Sequence, residues 1–381
     1  MGDTEKPLGL VETRSVRVCD EGLVLDCGRR LAGITVAYEQ YGALNAARDN
    51  VILVCHALSG GAHAAGWHAG AIRPGWWDVL IGPGKAFDTN RYSVVCANVL
   101  GSCYGSTGPA SNDPSTGRPF GSRFPVVTIR DMVRVQKAWL DGLGIPGLLA
   151  VAGGSMGGMQ ALQWAVSYPA AVRSVIALAT TSRHSPQQIA FDEIARRAVE
   201  ADPNWRGGDY YDEDPPRDGL AVARMIGHVT YLSDRGMQRK FGRRLRRDGP
   251  SYGLDPEFEV EHYLQHQGQT FVDRFDANAL MYLTRALDYF DLEADGRSLA
   301  DTFSATDAAF LLMSFSSDWL YPPCQLEAVA TAATVAGRTV RYREIASEYG
   351  HDAFLLEHRA QEPVIREFLA GVAAGQSIVA A

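Results

Sequence analysis

Between the apolar run Leu148–Ala152 and the stretch Met159-Gln160-Ala161-Leu162-Gln163-Trp164-Ala165 stand Gly153-Gly154-Ser155-Met156-Gly157-Gly158. A short apolar run, a glycine-rich turn and a helix-compatible stretch describe a strand that turns sharply into a helix, with one serine at its tip. Small residues at Gly153 and Gly157 let the chain turn tightly and hold the Ser155 side chain in a strained, exposed position. The Met156 backbone N–H then lies at a helix N-terminus, where it can donate to a developing oxyanion. Such a turn needs a sheet behind it. Ile34–Tyr38, Val51–Val54, Ser93–Ala97, Leu148–Ala152 and Ser174–Ala179 are runs of four to six residues separated by helix-sized segments. That alternation predicts βα units and a mostly parallel sheet with helices on both faces. Thr128–Leu143 is predicted as a crossover helix, with Ile129, Met132, Val133, Val135, Trp139 and Leu140 on its apolar face and Gly144 ending it.

From about His184 to Leu299 strand-like runs vanish, and 187–201, 221–232, 258–271 and 277–290 are predicted helical, with 202–219 as a surface loop. Strand signals return at Ala309–Phe315 and Thr339–Tyr342, and Glu362–Gly371 is predicted as a closing helix. The predicted organisation is therefore an α/β core, residues 1–183 and 300–381, interrupted by a helical lid, residues 184–299, over the sheet's C-terminal edge.

G-x-S-x-G between a strand and a helix is the nucleophile elbow of the α/β-hydrolase fold, in which an acid and then a histidine follow the serine. Asp318 follows the predicted strand Ala309–Phe315, and His351 follows the last strand, so both stand on loops after strands. Asp318 would orient the imidazole, and His351 would take the Ser155 proton as general base. The second oxyanion donor should come from the loop after an early strand; Val51–Val54 leads to His56-Ala57-Leu58-Ser59-Gly60-Gly61, which makes the Leu58 N–H the candidate. Cys55 and His56 are read as packed residues. His184, His228, His262 and His266 fall in the lid and His358 beyond the strand-end loop, while His63 and His68, on the early loop, have the chance to touch ligand.

The 381 residues are 46% apolar and 21% charged, enough for a sizeable core, and 36 basic against 44 acidic residues leave a net charge of −8. That balance excludes the phosphate-neutralising surplus of a nucleic-acid binder. Six scattered cysteines, Cys19, Cys27, Cys55, Cys96, Cys103 and Cys324, form no C-x-x-C pair, which argues against structural zinc and redox chemistry and suits a reducing cytoplasm. Neither a secretory apolar block in Met1 to Leu10 nor an apolar run approaching the roughly 18 residues of a membrane span is present. A cytoplasmic protein with no metal is expected.

These residues fix an acyl-transfer serine enzyme and leave open an esterase, a peptidase or an acyltransferase. Seven segments narrow the choice: 56–60 (HALSG), 75–78 (GWWD), 81–85 (IGPGK), 98–101 (NVLG), 103–109 (CYGSTGP), 128–131 (TIRD) and 153–160 (GGSMGGMQ). Together, in this order, they resemble the homoserine O-acetyltransferase family of the α/β-hydrolase superfamily, over the chain from roughly Leu23 onward. The resemblance implies Ser155, Asp318 and His351 as the triad and Leu58 and Met156 as the oxyanion donors. It implies that Arg224 pairs with the homoserine carboxylate, that Tyr231, seven residues on, shares its helical face, and that Asp352 binds the ammonium. It also implies a homodimer joined through the lid helices and acetyl-CoA as a co-substrate, with no bound cofactor.

Relatives that use succinyl-CoA often carry Arg two residues after the triad acid. Here that position is Leu320, in Asp318-Trp319-Leu320, which offers no charge to a succinyl carboxylate and points to acetyl-CoA. Of two readings of the basic run 239–247, a contact for the phosphates of coenzyme A and a solvated lid face, the solvated face is preferred. The expected reaction is acetyl transfer to the hydroxyl of L-homoserine, in methionine biosynthesis. Its rivals are serine acetylation or homoserine succinylation by the same mechanism, ester hydrolysis, and a binding protein on the same fold.

Overall fold

A computed structural model describes residues 8–375; the flanking residues, including Met1–Pro7 of the N-terminal stretch and the ends of the expected 1–183 and 300–381 core, lie outside it. Eight strands form one sheet: β1 (Arg14–Val18), β2 (Ile34–Tyr41), β3 (Val51–Cys55), β4 (Ser93–Ala97), β5 (Ala150–Gly154), β6 (Ser174–Leu178), β7 (Ala309–Phe315) and β8 (Val340–Ile345). Their order across the sheet is β1-β2-β4-β3-β5-β6-β7-β8, antiparallel at the β1–β2 and β2–β4 pairs and parallel from there on. Strands β3 to β6 are buried along their whole length, which is why they read as unbroken apolar runs rather than alternating ones.

The pleat divides each strand between two cores. Leu53, Val95, Val151, Val175 and Phe310 pack in one core with α1 (Ile129–Gly142) and α2 (Met156–Ser167), through Met132, Trp139, Met159 and Trp164. Ile52, Val94, Ala152, Ile176 and Leu311 point the other way, against Trp77, Leu80, Ile365 and Phe368. Thr128 caps α1 by accepting from the Asp131 N–H while the Asp131 carboxylate accepts from the Thr128 N–H, so the helix begins one residue later than its capping signal.

Between β6 and β7 the chain forms α3 (Pro186–Glu200), α4 (Arg217–Tyr231), α5 (Asp234–Lys240), α6 (Glu259–Val272) and α7 (Ala277–Asp288), with no strand of the main sheet. The short α8 (Leu299–Phe303) ends this connection before β7, and after β7 come α9 (Pro323–Val335), the short α10 (Ala353–Leu356) and α11 (His358–Ala373). Among the described residues, no helix is long and apolar enough to cross a membrane. All six cysteines are free thiols.

Three expectations need correction. The strand expected at Leu148–Ala152 is shifted: it runs from Ala150 into the turn, with Gly153 and Gly154 in register opposite Ala177 and Leu178. The stretch 202–219 is not a simple surface loop. Asp202 starts a 3-10 turn over Pro203–Gly208, Tyr210 is buried, and α4 already begins at Arg217. The cause is Asp276, whose carboxylate accepts from the Tyr210 and Tyr211 hydroxyls at 2.6 and 3.2 Å and caps α7 at Ala279. The closing helix also starts earlier than expected, at His358, and carries Pro363 in its interior.

Candidate active site

Ser155 joins β5 to α2 at φ +57° and ψ −126°, a backbone that a residue with a Cβ adopts at a cost of about 1–3 kcal/mol. Neighbours hold it there: its N–H donates to the Leu178 carbonyl, and its own carbonyl accepts from the Thr180 hydroxyl at 2.8 Å and the Gly158 N–H at 2.9 Å. A Cβ on Gly157 would lie 2.1 Å from the Cys55 carbonyl oxygen, backbone against backbone. Gly157→Ala is therefore expected to destabilise the chain by about 2–3 kcal/mol, read from the denaturant midpoint, because neither partner has a side chain that can move aside.

The loop after β3 carries Leu58, and it is fixed from behind. His56 is fully buried; its Nδ1 lies 2.8 Å from the Ala57 carbonyl and its Nε2 accepts from the Val99 N–H at 3.0 Å. Burial holds the His56 pKa down to about 4, so the ring is neutral. Gln160, on α2, donates to the carbonyls of His56 and Met156, both at 3.2 Å, which links the loop of one expected oxyanion donor to the residue that supplies the other. His56 is thus a packed residue, and one that positions the loop.

Asp318 lies on the loop after β7 and is buried. Its Oδ1 accepts from the Leu320 and Tyr321 N–H groups at 3.0 and 2.9 Å, and its Oδ2 faces His351 Nδ1 at 2.7 Å. His351 is held by the residue before it. Gly350 adopts φ +64° where a Cβ would meet the Tyr231 carbonyl at 2.5 Å, and its N–H donates to the Ser317 hydroxyl.

A cavity of about 250 Å³ brings together Ser155, His351, Leu58, Arg224, Tyr231 and Asp352. The Arg224 guanidinium lies 4.6 Å from the centre of the Phe271 ring and 5.5 Å from that of Tyr231, so the pair seven residues apart does share a face of α4. Arg224 Nε is buried without a partner. Burial pushes the Asp352 carboxyl above the usual range, against the pull of His351, Arg224 and Lys240. Leu320 lines a narrower recess of about 70 Å³ that also reaches Ser155 and Arg224, with Phe191, Asp192, Leu287 and Tyr321 in its wall.

Several residues of the site gave no local signal. The Tyr321 hydroxyl lies 2.9 Å from His184 Nε2, although the two are 137 residues apart. His184 Nδ1 stands 3.7 Å from both Asp192 and Asp288, and Arg196 pairs with Asp288 at 2.8 Å. Burial raises the Asp192 carboxyl well above its ordinary value, and the neighbouring Asp288 adds to the shift. His228 also lines the cavity; its Nδ1 is 3.0 Å from the Tyr263 hydroxyl, and burial lowers its pKa to about 3. His262 and His266 lie on α6, and His358 Nδ1 meets the Leu356 carbonyl. His63 and His68 stack with ring centres 3.7 Å apart, each bound to one oxygen of buried Glu39, in a trio that sequence spacing did not announce. The basic run is only partly a solvated face: Arg239 pairs with Glu348, and Lys240 lies 3.9 Å from the centre of the Tyr263 ring.

The alpha/beta hydrolase fold family matches residues 50–357. A homoserine O-acetyltransferase from Methanohalobium evestigatum is 56% identical over 366 residues, covering 96% of this chain and 74% of that protein. The crystal structure of a homoserine O-acetyltransferase from Bacillus anthracis is 31% identical, with a TM-score of 0.89 and coverage of 94% of this chain and 98% of the other. The crystal structure of esterase E22 is similar to nearly the same degree, 33% identical with a TM-score of 0.87, covering 94% of this chain and 100% of the other.

Proposed function

The chain belongs to the homoserine O-acetyltransferase family of the alpha/beta hydrolase fold, and from that premise we propose that it moves an acetyl group from acetyl-CoA to the hydroxyl of L-homoserine through an acetyl-Ser155 intermediate. One observation carries the choice among acyl-transfer reactions: the cavity at Ser155 holds a cation, Arg224, and an acid, Asp352. A free amino acid presents one carboxylate and one ammonium, and an ester with neutral ends presents neither. Arg224 then pairs with the carboxylate, Tyr231 packs beside it, and Asp352 takes the ammonium.

In the first half-reaction His351 takes the proton of Ser155 as its oxygen attacks the thioester carbonyl. The oxyanion is met by the N–H groups of Leu58 and Met156. Collapse breaks the C–S bond, and His351 returns the proton to the leaving thiolate. In the second half-reaction His351 takes the homoserine hydroxyl proton as that oxygen attacks the acetyl-Ser155 carbonyl, and then protonates Ser155 as it leaves. Leu320, in the recess that reaches Ser155, offers no charge of its own to a succinyl carboxylate, which supports an acetyl donor. We place the product in methionine biosynthesis and the chain in the cytoplasm. A homodimer through the lid is supported by Ile189 and Ile194 on α3 and Val222 and Val229 on α4, all exposed.

Ester hydrolysis is the second reading, favoured by the similarity to esterase E22. Thiol release from acetyl-CoA, measured with L-homoserine, with L-serine and with no acceptor, separates the two. Release that requires homoserine supports the transferase, and equal release without any acceptor overturns it. The best pair, repeated with succinyl-CoA, tests the donor.

Asp352 makes the homoserine KM depend on pH. Its raised carboxyl must be ionised to hold an ammonium, so KM is expected to rise as pH falls through that titration. Asp352→Asn is expected to raise the homoserine KM by about 10- to 100-fold at neutral pH and to flatten its dependence on pH. KM profiles for both proteins across the acid range check this.

A further inference from the structure

A cavity of about 910 Å³ adjoins the one around Ser155, with which it shares Ser59 and Arg224. Its charge is opposite to that of the chain. Against a net charge of −8, three arginines, Arg73, Arg224 and Arg274, line this groove, and no Asp or Glu does among the described residues. A concave surface with one sign of charge concentrates ligands of the other.

Arg224 is committed to the inner cavity, which leaves Arg73 and Arg274. Arg274 is ordered without a carboxylate: its Nη1 donates to the Tyr104 hydroxyl at 2.9 Å and to the Ser59 carbonyl at 3.4 Å. Arg73 is exposed and makes no ion pair with a described residue. Glu39 does not supply the missing anion at the groove surface. It lies behind His63 and His68, with its oxygens taken by those rings and by the Tyr41 and Thr13 hydroxyls. The groove also has a flat wall, Trp76, fixed by its indole N–H to the Gly61 carbonyl at 2.9 Å. Ala57, Phe354 and Leu355 line both this groove and the cavity around Ser155, so an apolar passage joins them.

We propose that this groove takes the phosphate-bearing arm of the thioester donor, with Arg73 and Arg274 pairing with phosphate oxygens and the uncharged arm lying along Ala57, Phe354 and Leu355 toward Ser155. The inference rests on the reading of the chain as an enzyme with a thioester donor. It assigns donor recognition to the core side of the site and leaves the basic run of the lid, 239–247, without a part in it.

The test uses the full chain and two measurements. Calorimetry with coenzyme A compares the wild type, Arg73→Glu and Arg274→Lys, at low and high salt. Steady-state kinetics compares acetyl-CoA with S-acetyl-N-acetylcysteamine, a thioester without phosphates. Arg73→Glu is expected to weaken coenzyme A binding by about tenfold or more and to raise the acetyl-CoA KM relative to that of the short donor by a similar factor. Wild-type affinity for coenzyme A is expected to fall with added salt. Coenzyme A binding that ignores salt and both substitutions overturns the proposal, as does a KM that rises equally for both donors. If the short donor supports transfer while coenzyme A binding ignores Arg73, the groove fails and the transferase reading stands. If coenzyme A binding follows Arg73 while neither donor is turned over, the groove stands and the transferase reading fails.

Discussion

Asp318→Asn is expected to lower kcat by about four orders of magnitude while the chain still folds cooperatively and binds homoserine. The reason lies in how the two carboxylate oxygens are used. Oδ1 accepts from two backbone N–H groups, and Oδ2 faces His351 Nδ1. An amide in this place keeps its oxygen on the two backbone donors, which no –NH₂ can satisfy, and so turns its –NH₂ toward the imidazole. His351 Nδ1 must then accept, which moves the ring proton to Nε2. A ring protonated at Nε2 has no lone pair there to receive the Ser155 proton. Thiol release with saturating acetyl-CoA and homoserine measures the loss. Retention of more than about a tenth of wild-type kcat would remove Asp318 from the proposed mechanism.

Ser155→Ala is expected to remove covalent catalysis altogether, with kcat lower by about 10⁴-fold or more. Rapid mixing with acetyl-CoA in the absence of an acceptor, followed by intact-mass measurement, should show an acetylated wild type and an unmodified variant. The substitution keeps a Cβ at φ +57°, so it leaves the backbone strain at the elbow in place and removes only the oxygen. Acetylation at another residue, or transfer at the wild-type rate, would defeat the proposed intermediate.

The parts of this fold that could be read from the chain are those whose signal is local. Buried parallel strands are continuous apolar runs, so β3, β4 and β6 were visible within a residue or two of their ends. Strand β5 was misplaced because Gly153 and Gly154 have no side chain to register as apolar, although their ladder pairing continues. The residues around the candidate site split along the same line. Arg224 and Tyr231 sit at a helical spacing that a sequence displays, while His184, Asp192, Asp288 and Tyr321 come from separate elements and meet only in three dimensions. Polar residues scattered along lid helices look like solvated faces until the partner helix is known. The same limit hid Glu39, whose strand gives no hint of the two histidines that reach it.

The buried contact of His184 with Tyr321 bears on how this architecture can be re-engineered. The insert is attached to the core by more than its two chain crossings. Gln188 donates to the Leu320 carbonyl at 2.6 Å, the Trp319 indole donates to the Leu232 carbonyl at 2.9 Å, and Ser233 bonds the Glu348 carbonyl. Each of these bonds ends within a few residues of Asp318 or His351. The segment between β6 and β7, cut at its boundaries and transplanted onto another protein of this fold, would carry His184 away from Tyr321 and Gln188 from the Leu320 carbonyl, stranding buried polar atoms at about 1–3 kcal/mol each. The helices between β6 and β7 in this sense brace the loops of Asp318 and His351, and a chimera that exchanges those helices must exchange the two loops with them.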